Sequence, residues 1–369
     1  MNEPLRVIIA GGGTGGHLYP GIAVARELLA RRPDAEIVFA GTARGIETSV
    51  VPREGFTLEL IRSGGIKGKS IIGRARGAAL VPIGLLDGWR LVSAHRPHLV
   101  IGVGGFSSGP VVLAAALRGV PTMLLEQNAV PGLTNRLLAP VVRAAAVTFD
   151  HTQRFFGSKA FVSGNPVRPE FLSAAGVHPE PGVHDELSGS STTGVLVFGG
   201  SQGAHAINVA MVEAAAELAA GGSHLRLTHQ TGEGDVEMVR AAYRQAGLEA
   251  EVEPFLFDMG RRIGQADLIV CRAGATTLAE IAAAGKAAIL VPLPSATDDH
   301  QRKNAEALAA TGAAEVLLQA EATGPVLARR ILSLAADAEA RARLGRAARA
   351  LARPDAARVI VDRALELIG

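Results

Sequence analysis

The chain alternates short apolar runs with longer, Ala-rich stretches of helical pattern, and this alternation constrains its fold more than any other feature. Strands that alternate with helices favour parallel sheets with both faces covered, so an α/β fold class is predicted. The predicted strands are 5–10, 36–40, 98–103, 121–126, 144–149 and 160–163 in the first half, and 194–198, 224–229, 251–256, 267–271, 287–292 and 313–318 in the second.

The alternation occurs twice, once on each side of a polar stretch at 174–193 that has the character of a loop or linker. With 369 residues, the chain is also too long for one ordinary hydrophobic core, so two domains are expected. We place them at 1–163 and 164–354, and interpret 174–193 as a surface excursion of the second domain. A last helix is predicted at 355–368.

Composition excludes several classes of protein. Hydrophobic residues make up 48% of the chain and charged residues 20%, as in folded rather than disordered proteins. The net charge of +2 gives no sign of a nucleic-acid partner. The single cysteine, Cys271, excludes an internal disulfide and a cysteine-rich metal site, and its place in a predicted strand indicates a core residue.

The chain leads directly into its first strand without a signal-peptide pattern. Its most apolar stretch, 78–86, is interrupted by Pro and Gly and is far shorter than the ~20 apolar residues of a membrane span. A cytoplasmic location is therefore expected.

Three glycine-rich loops follow predicted strands, at 11–17, 102–109 and 199–204. Glycine lets backbone N–H groups approach a ligand, and the N-terminus of the next helix adds partial positive charge, a combination that favours phosphate. Tight strand-to-helix turns also use glycine, so one such loop is weak evidence, but three at equivalent strand ends are stronger. We therefore predict a phosphate-containing ligand at the carboxyl ends of the strands.

The first loop also matches the dinucleotide fingerprint G-x-G-x-x-G within 11–16. Dinucleotide sites usually carry Asp or Glu at the end of the next strand, where this chain has Gly41 and Thr42, so an NAD-dependent oxidoreductase is disfavoured. His17, at the start of the following helix, suits a general base near neutral pH. A structural histidine that caps the helix or bonds a backbone carbonyl is an equally good interpretation.

In the second half, Gly274 and Thr276 suit the turn and N-cap of a helix, and Glu280 follows one turn later. A carboxylate there can accept hydrogen bonds from ribose hydroxyls, or it can stabilise the helix dipole. The run 297–302 contains two Asp and one His, but its spacing does not match a metal site. Neither a metal nor a cofactor is expected.

Taken in order, these motifs resemble those of the MurG family of bacterial peptidoglycan glycosyltransferases, and the similarity covers essentially the whole chain. The segments that carry it are 11–17 with 19–21, 104–110, 126–128, 133–135, 164–168, 199–203 and 272–280. The resemblance implies the GT-B fold, in which two Rossmann-like, doubly wound domains are separated by a deep cleft and the last helix packs back on the first domain.

The resemblance also implies an activity, the inverting transfer of N-acetylglucosamine (GlcNAc) from UDP-GlcNAc to the MurNAc 4-hydroxyl of lipid I. The product is lipid II, a precursor of the cell wall. The second domain would bind the donor and the first domain the acceptor. Three alternatives stay open: a nucleotide-sugar-binding protein without transfer activity, the disfavoured oxidoreductase, and a transferase or epimerase that uses another sugar nucleotide.

Residue by residue, the resemblance implies His17 as the candidate base. Donor contacts are implied for Thr14, Gly15, Gly16, Asn128, Arg168, Ser201 and Gln301. Uridine and ribose contacts are implied for Leu256, Ala275, Thr276, Thr277, Leu278, Ala279 and Glu280, the last on the ribose hydroxyls. The acceptor diphosphate is assigned to Gly13, Gly104, Gly105 and Ser107. The excursion at 174–193 and the segment 294–300, just before Gln301, depart from the family pattern.

A lipid-linked acceptor requires access to a membrane, and residues 62–96 suit that role. Their basic members are Arg62, Lys67, Lys69, Arg74, Arg76, Arg90 and Arg96, against one acid, Asp87. Their apolar members include Ile71, Ile72, Leu80, Ile83, Leu85, Leu86 and Trp89. Such a surface can rest on anionic lipid, so peripheral association with the cytoplasmic face of the membrane is expected. Alternatively, the apolar side chains pack on the sheet and the basic ones are solvated.

Overall fold

The structure, a computed structural model, describes residues 3–64, 71–173, 192–200, 203–221 and 224–369, without the side chains of 71–79 and 173. The chain divides into two compact units. The first comprises residues 1–168 and 353–369, and the second comprises 169–352. Each unit contains one parallel sheet with helices packed on it.

The first unit contains a seven-stranded sheet in the order β3-β2-β1-β4-β5-β6-β7. Its strands are β1 (Arg6–Gly11), β2 (Glu36–Gly41), β3 (Thr57–Leu60), β4 (Leu99–Gly104), β5 (Thr122–Glu126), β6 (Ala144–Val147) and β7 (Ala160–Val162). Its first helices are α1 (Gly15–Arg31), α2 (Glu47–Arg53), α3 (Ile71–His95), α4 (Ser108–Leu117) and α5 (Leu133–Leu138). Two short 3-10 turns, at Asp150–Phe155 and Gly157–Lys159, precede β7.

The second unit contains a six-stranded sheet in the order β10-β9-β8-β11-β12-β13. Its strands are β8 (Thr193–Phe198), β9 (Leu225–Gln230), β10 (Glu249–Glu253), β11 (Leu268–Cys271), β12 (Ala287–Leu290) and β13 (Glu315–Val316). Its helices are α6 (Pro169–Ser173), α7 (His205–Ala220), α8 (Val236–Ala246), α9 (Met259–Gln265), α10 (Ala275–Ala284), α11 (His300–Ala309), α12 (Gly324–Ala336) and α13 (Ala338–Ala350). The last helix, α14 (Ala356–Glu366), lies in the first unit.

The core of the first unit lies on both faces of its sheet, because alternate residues of each strand point to opposite sides. Ile9 of β1 lies in the cluster that includes Leu28 of α1 and Ile360 of α14. Ile8, its neighbour, lies in the opposite cluster with Val112 of α4. The helices after β1 and β4 therefore cover different faces, which makes the edge between these two strands a topological switch point, the usual ligand position in open α/β sheets.

Every strand predicted from the sequence is present, with bounds that shift by a few residues. The strand β3 was missed because it is a short edge strand whose residues, Thr57 to Leu60, are half-buried or exposed and include a charge. Most of the polar stretch at 174–193 lies outside the described residues, and Thr193 already belongs to β8. No helix in the described part of the chain is long and apolar enough to cross a membrane.

Candidate functional site

Three loops lie side by side at the carboxyl edge of the first sheet, because β1, β4 and β5 are neighbours in it. We name them the β1 loop (residues 12–14), the β4 loop (105–107) and the β5 loop (127–132). The β1 and β4 loops each lead into a helix of ten or more residues, α1 and α4. Parallel strands bring these loops together although they are far apart in sequence.

The β1 loop is packed tightly on one side and open on the other. A Cβ atom at Gly11 would overlap Val103, and one at Gly12 would lie 2.6 Å from the carboxyl carbon of Glu47. A Cβ atom at Gly13, where φ is +85°, would meet no atom within 4 Å. Gly11 and Gly12 are thus required by packing, whereas Gly13 faces open space that a ligand could occupy.

His17 is held between the β1 loop and the end of β4. Its Nδ1 lies 3.2 Å from the Thr14 hydroxyl oxygen. Its ring lies against Gly104, where an added Cβ atom would be 2.7 Å from Cδ2 and 3.1 Å from Nε2. The half-buried ring is therefore oriented by one residue of the β1 loop and one residue at the end of β4.

The β4 loop contacts the β1 loop through its backbone. Gly105 has φ of +80°, and a Cβ atom there would lie 2.9 Å from the carbonyl oxygen of Gly12. Ser107, the N-cap of α4, is buried, and the Ser108 hydroxyl donates to the Gly105 carbonyl at 3.0 Å. The structure therefore brings together all four residues assigned to the acceptor diphosphate, including Gly13.

A buried carboxylate that the sequence reading missed lies beneath the β1 loop. Glu47 accepts hydrogen bonds from the Gly13 N–H at 2.8 Å and from the N–H and hydroxyl of Thr42 at 2.9 and 3.0 Å. The N–H of Gly13 is thus engaged within the protein and does not point to a ligand in this conformation. The acid that dinucleotide sites carry at the end of the second strand is absent from the end of β2, and Glu47 stands a few residues further on, at the start of α2.

A second buried carboxylate, Glu126, organises the β5 loop. One oxygen accepts from the N–H and side-chain amide of Asn128 at 3.0 and 3.1 Å. The other accepts from the Gly132 N–H at 3.1 Å and the Asn135 amide at 2.8 Å. Burial raises the pKa of Glu126, and these hydrogen bonds oppose the rise. The missed signal was an acid at a strand end followed by two asparagines.

The other residues predicted in the first unit also lie near α1. Gly15 and Gly16 are the first two residues of α1, and Thr14 is its N-cap. The Arg168 guanidinium lies over the ring of Tyr19, with its central carbon 4.6 Å from the ring centroid. This placement orients Arg168 by a cation–π contact.

In the second unit, Gln230 joins two loops that carry predicted donor contacts. Its amide donates to the Gly200 carbonyl at 2.7 Å, and its side-chain oxygen accepts from the buried Leu256 N–H at 2.9 Å. Gly203 has φ of +73°, and a Cβ atom there would overlap the Thr231 carbonyl. Gln230 was not predicted as a site residue, because a polar residue at a strand end gives no distinctive pattern. Ser201 and Gln202 lie outside the described residues.

The helix α10 begins directly after the loop that follows β11. Gly274, not Thr276, is its N-cap, with φ of −67° and ψ of 137°. Ala275, Thr276, Leu278 and Glu280 are buried, whereas Thr277 and Ala279 are half-buried. Burial of a carboxylate within the second turn of a helix keeps it near the positive end of the helix dipole.

The loop after β12 is held by two polar side chains from other elements. The Arg272 guanidinium donates to the Val291 carbonyl at 3.0 Å, and the side-chain oxygen of Gln301 accepts from the Leu293 N–H at 3.0 Å. Gln301 therefore presents its amide nitrogen, rather than its oxygen, to any further partner. In the described part of the chain, no group of three His, Cys, Asp or Glu side chains could hold a metal ion.

The second half of α3 presents apolar side chains outward. Gly84 and Gly88 face α4, where added Cβ atoms would lie within 3.2 Å of Pro110 atoms, so the opposite side of α3 faces away from the protein. The exposed fractions on that side are 37% for Ile83, 48% for Leu86 and 42% for Trp89. We call these three residues the α3 surface.

Other predicted members of this region differ in their exposure. Leu80 is half-buried, and Asp87, the single acid, pairs with Arg62 at 2.7 Å, which lowers the pKa of Asp87. The Arg118 guanidinium lies 4.8 Å from the centroid of the Trp89 ring. The predictions for Ile72, Arg74 and Arg76 concern side chains outside the described part of the chain.

Comparison with known proteins defines the class of enzyme to which these two units belong. Residues 7–147 match the N-terminal domain of glycosyltransferase family 28, and residues 194–360 match its C-terminal domain. The chain is 50% identical to the "UDP-N-acetylglucosamine--N-acetylmuramyl-(pentapeptide) pyrophosphoryl-undecaprenol N-acetylglucosamine transferase" of Pelobacter propionicus, over 98% of this chain and 99% of that protein. A relative of the same name in Trichlorobacter lovleyi is 46% identical over 98% of each chain.

The crystal structure of Acinetobacter baumannii MurG has a TM-score of 0.79 and 31% identity, covering 98% of this chain and 100% of that one. A UDP-GlcNAc 2-epimerase from Neisseria meningitidis has a TM-score of 0.68 at 11% identity, which indicates a shared fold alone. The chain belongs to the MurG family of glycosyltransferase family 28. The resemblance and the GT-B fold predicted from its motifs are confirmed.

Proposed function

We propose that this chain transfers GlcNAc from UDP-GlcNAc to the MurNAc 4-hydroxyl of lipid I and so forms lipid II. The observation that carries the proposal is the 50% identity, over nearly the whole of both chains, with a relative named as an N-acetylglucosamine transferase of this kind. The loops of both units support it, because each leaves helix N-termini at strand ends, where phosphate groups bind well.

The first unit is proposed to bind the acceptor, with His17 as the base. Its Nδ1 lies 3.2 Å from the Thr14 hydroxyl oxygen, and in the proposed tautomer Nδ1–H donates to that oxygen and Nε2 accepts the proton of the acceptor hydroxyl. The 4-hydroxyl oxygen attacks the anomeric carbon, the bond from that carbon to the UDP oxygen breaks, and the hydroxyl proton passes to Nε2. The Gly13 edge of the β1 loop and the β4 loop would lie beside the acceptor diphosphate.

The second unit is proposed to bind the donor. The N-terminal turns of α10 would contact uridine and ribose, with Glu280 accepting from ribose hydroxyls and Leu256 beside the base. Partial positive charge at the start of α7 and α10 would stabilise the departing diphosphate. The predicted donor contacts at Thr14, Gly15, Gly16, Asn128, Arg168, Ser201 and Gln301 belong to the same proposal.

The α3 surface is proposed to associate with anionic membrane at its cytoplasmic face. Three exposed apolar side chains on one side of a helix are typical of an interaction site. Basic neighbours such as Arg90 and Arg118 would add attraction to anionic lipid. Association of this type is peripheral, with the side chains entering only the headgroup region.

One experiment tests the proposed transfer and its base. The purified protein is incubated with labelled UDP-GlcNAc and a lipid I analogue, beside His17→Ala and the control His95→Ala at the end of α3. We expect disaccharide product from the wild type and the control, and a rate reduced about 10²-fold or more in His17→Ala. The absence of product from the wild type would refute the transfer, and full activity of His17→Ala would refute the role of the base.

A further inference from the structure

The carboxylate of Glu47 contacts the β1 loop directly. It is fully buried, and each of its oxygens accepts at least one hydrogen bond, from Gly13 or from Thr42. All three donors are N–H or O–H groups, and no basic side chain in the described ranges pairs with it. A buried carboxylate without a cation is costly unless such donors hold it in place.

Three glycines form the space that this carboxylate occupies. An added Cβ atom would lie 2.6 Å from a side-chain atom of Glu47 at both Gly12 and Gly41, and one at Gly45 would overlap the carboxylate. These glycines come from the β1 loop, the end of β2 and the turn before α2. The site is therefore shaped around the carboxylate from three separate segments.

We infer that Glu47 is a positioning residue for transfer, which holds the β1 loop in the shape that presents Thr14 and His17 to the acceptor. This inference rests on the proposed function. The loop contains consecutive glycines with positive φ, so without an anchor its backbone would sample many conformations. The bond from Gly13 to Glu47 removes that freedom before the acceptor binds, which lowers the cost of reaching the reactive geometry.

The same contacts explain the glycine fingerprint without a dinucleotide. In dinucleotide sites an acid after the second strand accepts from ribose hydroxyls. Here the acid after β2 is fully buried, and its oxygens are directed to Gly13 and Thr42. Its carboxylate acts on the loop itself and is not accessible to a nucleotide.

Glu47→Gln tests the anchor with little change in size. The amide oxygen can accept from Thr42 or from Gly13, but its NH2 group cannot accept from the other donor. We expect kcat/KM for the lipid I analogue to fall about tenfold or more, and by a larger factor than the affinity for UDP-GlcNAc, because only Thr14 of the proposed donor contacts lies in the β1 loop. Hydrogen exchange of a peptide covering 10–18 should speed up by a similar factor, independently of any activity.

Gly45→Ala is a second variant, and it leaves Glu47 and its hydrogen-bond donors, Gly13 and Thr42, unsubstituted. The added Cβ atom would overlap the Glu47 carboxylate and displace it, although residue 45 itself lies outside the β1 loop. We therefore expect the same fall in kcat/KM and the same faster hydrogen exchange as in Glu47→Gln. The matched control is Gly234→Ala, because an added Cβ atom there meets no atom within 4 Å. We expect the control to match the wild type in exchange at 10–18 and in turnover.

Wild-type exchange at 10–18 in both variants, or wild-type kcat/KM for the acceptor in both, would overturn the inference. Equal loss of UDP-GlcNAc affinity and of acceptor turnover, with faster exchange throughout the first unit, would also overturn it, because Glu47 would then be merely structural. If the wild type itself makes no product, the proposed function fails. The exchange measurement still decides whether Glu47 anchors the loop.

Discussion

The imidazole ring of His17 rests on the backbone of Gly104, so closely that a Cβ atom on residue 104 would lie 2.7 Å from its Cδ2. His17 lies in the first turn of α1, which follows β1, and Gly104 ends β4; the two residues meet because β1 pairs with β4. Gly104 has φ of +97°, so two separate constraints exclude a side chain there. The orientation of the candidate base is therefore set by a glycine far away in sequence.

Gly104→Ala should move the His17 ring and lower the transfer rate about tenfold or more, because small displacements of a reacting group are costly. The positive φ alone should cost about 1–3 kcal/mol of stability. Gly119→Ala is the matched control, since its φ is +76° and an added Cβ atom meets nothing within 4 Å. Steady-state transfer rates and thermal unfolding separate the two effects. Equal rates for the two variants would contradict the role assigned to Gly104.

Gln230→Ala should weaken UDP binding about tenfold, because the loops at Gly200 and Leu256 would lose the side chain that joins them. Isothermal titration with UDP measures the change. Gln265→Ala serves as the control, because Gln265 only accepts from the exposed Arg261 at 3.3 Å. Unchanged affinity in Gln230→Ala would show that these loops hold their shape without it.

Replacing Ile83 and Leu86 by Ser should weaken binding to anionic vesicles about tenfold or more, because buried apolar side chains contribute about 1.5–3 kcal/mol each. UDP affinity should not change. Met238→Ser, which alters an exposed apolar residue of the second unit, is the control. Sedimentation with phosphatidylglycerol vesicles measures the binding. Repeating it at a second salt concentration separates the charge contribution to binding, which salt screens, from the apolar contribution. Equal sedimentation of all three proteins would refute a role for the α3 surface.

The stability of the second unit should fall as the pH is lowered from about 6.5 towards 3 because of His229. Burial lowers the pKa of His229 to about 3, and its Nδ1 and Nε2 contact the Tyr243 hydroxyl at 2.8 Å and the Asn208 amide oxygen at 3.0 Å. In that pH window the unfolded chain binds a proton that the folded chain does not, so each pH unit costs up to about 1.4 kcal/mol.

His229→Gln lacks this titration, so its stability deficit at pH 7.5 should shrink at pH 5. Calorimetric unfolding of both proteins at the two pH values measures the difference. Acid effects of other residues are common to both proteins and cancel in the comparison. A deficit that stays constant or grows at pH 5 would contradict the assignment.

The strands and the three glycine loops could be predicted from the sequence because each is a local pattern. Apolar runs such as 99–103 indicate a buried strand, and glycine directly after a strand indicates a tight turn with a backbone conformation that other residues rarely adopt. The family resemblance followed from the same local motifs. The strand β3 could not be predicted, because its half-buried residues depend on an edge position that periodicity does not encode.

The arrangement of the site could be recognised only from the tertiary structure. Glu47 and Gln230 gave no pattern of their own, because a polar residue is recognised as structural only when its donors and acceptors are known. The sequence predicted that residues 62–96 combine basic and apolar side chains. The contact of Gly84 and Gly88 with α4 determines which of the apolar side chains face outward.

The order of amino acids alone therefore established the α/β alternation, the positions of the three glycine-rich loops and the family. The tertiary structure decided which groups meet: Gly104 with His17, Glu47 with Gly13, and Gln230 with Leu256. The physical reason is the separation along the chain of the residues that interact. Burial and backbone propensity are set by neighbours along the chain, whereas hydrogen bonds and steric exclusion between loops depend on strand order, which brings distant residues to one edge of a sheet.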